Sequence, residues 1–455
     1  MRVRIGICLT GVLILSQGMA QPPHSLRMMA EWEPVEWLVV SWPQPFPALR
    51  EIVSYAQEVC SVMVITPDPH TAREYLLQGK VPLSRVVFRT ASVNSVWIRD
   101  YGPMTLYAGA AQTRLLADWT YNRPRPLDDR VPELISLWLG DSLLPTGPPQ
   151  RLLTHAGGNL LADGLGTGFS SRLVLRENAQ GMSGSRAEKL VRDIAHDYLG
   201  INRYILMREL PYDGIHHLDM HLKLLDEETL LAGMYPPGVS DGPWIAHNLA
   251  ELQETYQNPL GRPYRILPIP MPTDHGRYPD QGGRYFSYVN SVIVNTLVLV
   301  PQYGLPEDSL ALELYRQYMP GYHIKGINCR EMISAGGALH CLTQTIGVRE
   351  PCQIIHAHLD ARPAGDTWIR ARVHTAANLQ AVVLVYAQGP EADWHRIPMT
   401  QDTVSGYWVA QLPPGQAGDS CRYYLEAITP SRTFRRPAPG PAGAWVVRWQ
   451  ASPYR

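Results

Sequence analysis

The segment Gly214-Ile215-His216-His217-Leu218-Asp219-Met220-His221-Leu222-Lys223-Leu224-Leu225 alternates titratable and apolar side chains. Read as a strand, it sends His217, Asp219, His221 and Lys223 to one face and Leu218, Met220, Leu222 and Leu224 to the other. Two chemistries fit such a face. Imidazole and carboxylate at this spacing suit zinc or iron, with His217, Asp219 and His221 as ligands. Alternatively His217 serves as a general acid and base while Asp219 holds a cationic substrate. A solvated strand edge has the same pattern.

Three further strings carry reactive groups. Gly336-Gly337-Ala338-Leu339-His340-Cys341 offers a thiol behind two glycines, which let a backbone approach a ligand closely. A helix starting there would place Cys341 at the positive end of a dipole and favour the thiolate; a buried, inert thiol is the plainer reading. Trp97-Ile98-Arg99-Asp100-Tyr101-Gly102-Pro103 puts charges directly after a β-like run. Tyr121-Asn122-Arg123-Pro124-Arg125-Pro126 has two arginines that each precede a proline, which biases them to extended backbone and points both the same way. Parallel guanidinium groups make a carboxylate clamp, although an exposed proline-rich loop reads alike.

These groups need a frame. Five amphipathic stretches, at roughly 46–60, 128–143, 183–200, 242–258 and 305–321, have helical spacing. Short β-rich runs lie between them: Trp37–Trp42, Val62–Thr66, Tyr204–Met207 and Val292–Val300. A strand–helix–strand unit used about five times predicts pseudo-symmetric α/β packing, and a doubly wound sheet would read similarly. After Cys352 the period changes to two. Ile369, Ala371 and Val373 alternate with Arg370, Arg372 and His374, and Cys421, Tyr423, Leu425 and Ala427 repeat the pattern. With Val382–Tyr386 and Tyr407–Leu412, these predict an all-β immunoglobulin-like sandwich over 352–455.

The 455 residues hold 40 basic and 41 acidic side chains, a formal charge of −1, with no basic run. A nucleic-acid binder that tracks phosphates is therefore disfavoured. Met1–Ala20 has arginines at 2 and 4, an apolar stretch from Ile5 to Leu15 and a small-residue site at Gly18-Met19-Ala20, the pattern of a secretory signal peptide. Its core is too short to span a bilayer. The expected division is a signal peptide over 1–20, a catalytic domain over 21–351 and a β-sandwich over 352–455. Cys60, Cys329, Cys341, Cys352 and Cys421 remain after the signal, and their odd number leaves at least one thiol free or paired outside the chain.

Over about residues 28–350 the chain resembles the guanidine-modifying enzymes of the agmatine deiminase and bacterial peptidylarginine deiminase group. The matching strings, in the family's order, begin with Ala30-Glu31-Trp32-Glu33-Pro34 and the Trp97–Pro103 string. Gly157-Gly158-Asn159 with Asp163-Gly164 and His217-Leu218-Asp219 follow, then Ser287-Tyr288-Val289-Asn290 and the Gly336–Cys341 string. The resemblance implies a five-bladed pentein (α/β propeller) fold, with no metal or other cofactor. It implies Cys341 as nucleophile, His217 as general acid and base, and Asp100 and Asp219 as the groups that hold a guanidinium. Trp97, Asp163 and Asn290 would bind substrate.

Within that group, the Tyr121–Pro126 string looks like the bacterial peptidylarginine deiminase, whose two arginines bind the carboxylate of a C-terminal arginine. Arg123 and Arg125 would do so here. The signal peptide and the trailing sandwich fit the same branch. The sandwich runs to Arg455 without the further sorting domain of the well-known member, so the expected location is periplasmic or secreted. The implied function is hydrolysis of peptidyl arginine to citrulline and ammonia. The rivals are an exported agmatine deiminase, a metallohydrolase on His217, Asp219 and His221, and a secreted binding protein.

Overall fold

The computed structural model describes residues 25–389 and 393–451. The expected signal peptide, Met1–Ala20, lies outside the described residues. All five expected helices form, and each belongs to a unit of the same plan. A short strand pairs antiparallel with a central strand, the chain crosses over through the helix, and a third strand returns parallel to the central one. Such a return needs a crossover connection, which the helix supplies.

In chain order the helices are Pro47–Ala56, Val131–Leu139, Gly184–Leu199, Gly242–Thr255 and Glu307–Tyr318. Their ends follow local rules. Proline occupies the first turn of the first, second and fourth helices, where its missing N–H is not needed. Gly140 and Gly200 close the second and third in the left-handed conformation, with φ of 67° at each. The third helix buries Ala187, Val191, Ile194 and Ala195 at helical spacing, so one face packs and the other is solvated.

The central strands are Val35–Ser41, Thr113–Asp118, Thr167–Ser171, Thr229–Met234 and Leu297–Gln302. Their short antiparallel partners are Gln344–Gly347, Met104–Ala108, Leu161–Ala162, Leu222–Leu224 and Val292–Val294. The parallel returns are Ser61–Thr66, Ser142–Pro145, Arg203–Met207, Arg265–Pro270 and His323–Asn328. Gln344–Gly347 comes from the far end of this region yet completes the first unit, which ties its two ends together.

Two sequence expectations fail locally. The strand expected across 214–225 exists only at Leu222–Leu224. His216 has a φ of 59°, and Leu218–Met220 forms a 3-10 turn, so period-two alternation does not apply to His217 and Asp219. Both faces of this segment are buried, and the bilateral packing imitates an amphipathic strand. The run Val292–Val300 is likewise two antiparallel strands, turned at Asn295 with a φ of 55°.

Beyond Cys352 lie two mainly antiparallel sheets. One joins Cys352–Ile355, Gly365–Thr375, Trp408–Gly415 and Thr400–Gln401. The other is centred on Ser420–Ile428, flanked by Ala381–Gln388 and Trp445–Gln450. Ile369 and Leu412 from the first and Leu384, Leu425, Val447 and Trp449 from the second share one apolar cluster. This region is keyed to the first. The Gln353 side-chain amide donates to the Gly164 carbonyl at 3.1 Å, Arg436 pairs with Glu227, and His358 lies 3.3 Å from Glu228.

Candidate active site

The repeated plan places equivalent turns together. Each of the five short antiparallel strands is preceded by a turn. These turns carry Asp100, on Ile98–Tyr101; Gly158, on Gly157–Asn159; Asp219, on Leu218–Met220; Asn290; and Cys341. The turns bond to one another. The Asp100 carboxylate accepts from the Gly158 N–H at 3.2 Å, and the Arg99 N–H donates to the Cys341 carbonyl at 3.2 Å. Asn290 ties two more: its Oδ1 accepts from the Ala338 and His340 N–H groups at 3.1 Å, and its Nδ2 lies 3.3 Å from Cys341 Sγ.

Asp100, His217, Asp219 and Cys341 come together at this centre. His217 Nδ1 lies 3.4 Å from Asp100 Oδ1, and Cys341 Sγ lies 3.5 Å from Asp219 Oδ2. Glycine at 158 leaves the space between them open. A Cβ there would sit 2.9 Å from Asp100 Oδ1, 2.9 Å from His217 Nδ1 and 3.0 Å from Asp219 Oδ2. A methyl group at 158 would therefore meet all three. A Cβ at Gly337 would meet Cys341 Sγ at 3.0 Å and the Trp97 ring at 2.7 Å, which puts Trp97 beside the thiol.

The electrostatics separate the two carboxylates. Burial pushes Asp100 up, with His217 opposing and Asp219 adding to the rise. Burial also acts upward on Asp219, but the hydrogen bond and charge of His340, with His217 and Arg99, outweigh it and hold Asp219 below its ordinary value. Burial pushes the Cys341 thiol well above its ordinary value, and Asp219 and Asp100 reinforce the shift. The helix-dipole expectation is thereby corrected. Cys341 sits in a turn that runs into the strand Gln344–Gly347, so no helix follows it, and its neighbours are anionic.

The remaining expected site residues divide. The Arg125 N–H donates to the Arg123 carbonyl at 2.8 Å, closing a tight turn over Pro124 between the two arginines. Arg125 donates to the Tyr121 hydroxyl at 3.1 Å, whereas the exposed Arg123 is near enough for its charge to act on Asp100 and Glu177. Asp163 lies at the other end of its strand from Gly158. Its Oδ1 accepts from the Leu165 and Thr167 N–H groups at 2.7 and 2.9 Å, so it shapes a turn that faces the C-terminal sheets. His221 is buried with neither ring nitrogen bonded, and burial lowers it to about 4. Among the described residues no three His, Cys, Asp or Glu side chains are grouped to hold a metal ion.

Sequence reasoning gave no role to Glu31, Arg99 or His340, although all three stand inside the quoted strings, and it put Lys223 on the titratable face of a strand without assigning it a task. Lys223 is buried and bonds Glu31 at 2.6 and 2.7 Å, and His340 lies between Glu31 and Asp219. The available signal was a titratable side chain inside three of the quoted strings: Glu31 in Ala30–Pro34, Arg99 in Trp97–Pro103 and His340 in Gly336–Cys341.

Known proteins share this frame. The Enterococcus faecalis agmatine deiminase structure superposes with a TM-score of 0.60 at 21% identity, covering 71% of this chain and 96% of that one. A Porphyromonas gingivalis structure, provisionally named an arginine deiminase, gives 0.62 at 23%, covering 71% and 98%. A Pectobacterium atrosepticum protein, provisionally named an agmatine deiminase, is 26% identical over 365 residues, covering 71% of this chain and 96% of its own. The region is a pentein-like α/β domain, and the sheets beyond it lie outside the family match. Over residues 27–346 the chain matches the Porphyromonas-type peptidyl-arginine deiminases, and it belongs to that family of hydrolases that act on amidino C–N bonds.

Proposed function

We propose that the protein hydrolyses the guanidinium of peptidyl arginine, preferring a C-terminal arginine with a free carboxylate, to citrulline and ammonia. The observation that supports this best is the convergence of Asp100, His217 and Asp219 on one open point in front of Gly158, beside Cys341. A guanidinium is planar and permanently charged, so its carbon resists attack until it is oriented and neutralised. Asp100 and Asp219 face its nitrogens. Its charge offsets the two carboxylates that raise the thiol, so substrate binding favours the thiolate where the empty site favours the thiol.

Cys341 Sγ then bonds to the guanidinium carbon, and the carbon–nitrogen bond breaks as His217 protonates the departing nitrogen, which leaves as ammonia. Water, deprotonated by His217, attacks the S-alkylthiouronium carbon; the carbon–sulfur bond breaks, and citrulline forms with the thiol restored. Arg123, and Arg125 behind it on Tyr121, would meet the substrate carboxylate. We further propose export through the Met1–Ala20 segment, and an immunoglobulin-like sandwich beyond Cys352 as a separate domain. Among the described residues no helix is long and apolar enough to cross a membrane.

The agmatine reading is favoured by the names of several relatives. Ammonia and citrulline release from three substrates separates the two: a peptide ending in free arginine, the same peptide amidated, and agmatine. The free-carboxylate peptide should react fastest. Arg123→Ala with Arg125→Ala should then weaken its kcat/KM by about 10²- to 10⁴-fold, since each of the two charged hydrogen bonds contributes ~1.5–3 kcal/mol, and leave agmatine untouched. Faster turnover of agmatine would assign the enzyme to amine substrates. Cys341→Ala should abolish all release, and full activity in that variant would refute the mechanism.

A further inference from the structure

The chemistry above uses Cys341, His217 and the two aspartates, and leaves three charged side chains directly behind them without a task. His340 is 2% exposed; its Nδ1 lies 2.8 Å from Asp219 Oδ2, and its Nε2 lies 3.4 Å from Glu31 Oε2. A neutral imidazole has one N–H and one lone pair, so it can satisfy only one of two carboxylates and turns a lone pair towards the other. With a carboxylate facing each nitrogen, only a ring that carries both hydrogens can donate to both.

Glu31 is fixed in turn. It accepts from Lys223 Nζ at 2.6 and 2.7 Å and from the Ile293 N–H at 2.8 Å, while Lys223 also donates to the Ser291 carbonyl at 2.8 Å. The His340 main chain is held by Arg99 Nε on its carbonyl at 3.3 Å and by Asn290 on its N–H. Charges therefore alternate along a buried line: Lys223, Glu31, His340, Asp219, and then the Cys341 sulfur. The groups that face His340 are Asp219, Glu31 and Arg99. Asp219 is also faced by His217, Asp100 and Asp213.

We propose that His340, kept charged by Glu31, is a positioning residue that sets the protonation of the Asp219–Cys341 pair. It keeps Asp219 ionised to receive a cationic substrate and limits how far that carboxylate suppresses the thiolate. The inference rests on the guanidine-hydrolase reading for its purpose. Its charge balance can be tested without turnover.

The experiment uses the full chain without substrate and follows alkylation of Cys341 by iodoacetamide against pH, with the modified peptide read by mass spectrometry. His340→Gln removes one positive charge, and an opposite charge at this range shifts a neighbour by ~1–3 pH units. The inflection should therefore rise by at least about one unit, and the rate at a fixed pH below it should fall about tenfold. Glu31→Gln removes the carboxylate that keeps the ring charged, so it should move the inflection up as well, by less than His340→Gln does, and it stands in if His340→Gln does not fold. In the double variant Glu31 has no ring left to act through, so the inflection should rise no further than in His340→Gln.

Merely structural roles predict otherwise for that last protein, since two independent lesions would add. Superimposable profiles for wild type and His340→Gln, an absent or downward shift in Glu31→Gln, or a double variant shifted well beyond His340→Gln would each overturn the proposal. The acid limb of kcat/KM on an arginine peptide should move with the alkylation profile. If no guanidine is turned over by wild type, the functional reading fails while the alkylation profiles still decide the role of His340.

Discussion

The centre of the pentein-like region and the centre of the C-terminal sheets are both buried, and they are filled in opposite ways. The first packs Glu31, Arg99, Asp100, His217, Asp219, Lys223 and His340 around one thiol. The second packs Ile369, Leu384, Leu412, Leu425, Val447 and Trp449. Removing an ion from water costs several kcal/mol even when it is paired, whereas burying a leucine stabilises by ~1.5–3 kcal/mol. The sheets hold themselves together by their centre. The five-unit region is held by the apolar layers between its strands and helices, and these carry the cost of a charged middle.

That contrast breaks most visibly at Asp219. Replacing it with asparagine keeps the size but removes the charge that receives the substrate and partners His340. Activity should fall by about 10³-fold, within the range for lost electrostatic groups and acid–base groups in enzymes, while the thermal midpoint moves little. Steady-state kinetics beside a melting curve checks it. A large loss of stability with modest loss of activity would make the polar centre structural, and the two regions alike.

The reciprocal test is Leu425→Ala. Leu425 is fully buried between the two C-terminal sheets, and truncation of such a residue costs ~2–5 kcal/mol. The expected outcome in urea unfolding is a loss near 3 kcal/mol, with kcat and KM of the folded protein unchanged. A changed kcat would mean that the sheets act on the site through the Glu227–Arg436 and Glu228–His358 contacts.

The two regions also differed in how far the sequence could be read. The alternation at Ile369, Ala371 and Val373 became a strand because one side of it meets the opposing sheet and the other meets water, the situation that period-two reasoning assumes. The five outer helices were legible for the same reason. The His217–Lys223 segment was not, since water touches neither side of it, and left-handed backbone at His216 breaks the period. For Arg123 and Arg125 the proline rule fixes local bias and says nothing of the tight turn over Pro124 that sets one against the other. His340 stood next to the expected nucleophile, but its two carboxylates arrive from chain positions 121 residues apart on one side and more than 300 on the other. Only the fold brings them there.

Histidines refine the comparison at the smallest scale. His155, His221 and His356 are all buried, and burial lowers them to about 3, 4 and 4. Each is neutral in the native protein, while the unfolded chain takes a proton below about 6.5. Their stabilising contribution is complete above that pH and is lost as the pH falls towards the native value. In the pentein-like region the loss is opposed by Asp118 and Asp213, which burial lifts to about 7; both take up protons in the native state over the same interval and favour it on acidification.

His356 sits instead in the C-terminal sheets. It donates to the Arg370 carbonyl at 2.7 Å and accepts from the Tyr423 hydroxyl at 3.0 Å, an arrangement only the neutral ring can make. Its neighbour His358 is raised, because the pull of Glu228 and Asp360 outweighs its burial, so the two partly cancel in the intact protein. A variant separates them. His356→Gln retains a donor for Arg370 and has no proton to gain, so between pH 7.5 and 5.5 it should lose about 1 kcal/mol less than wild type in urea unfolding. Parallel pH curves for the two proteins would mean that this imidazole takes up its proton as readily in the native state as in the unfolded chain, and that the C-terminal sheets admit an ion at their centre on acidification.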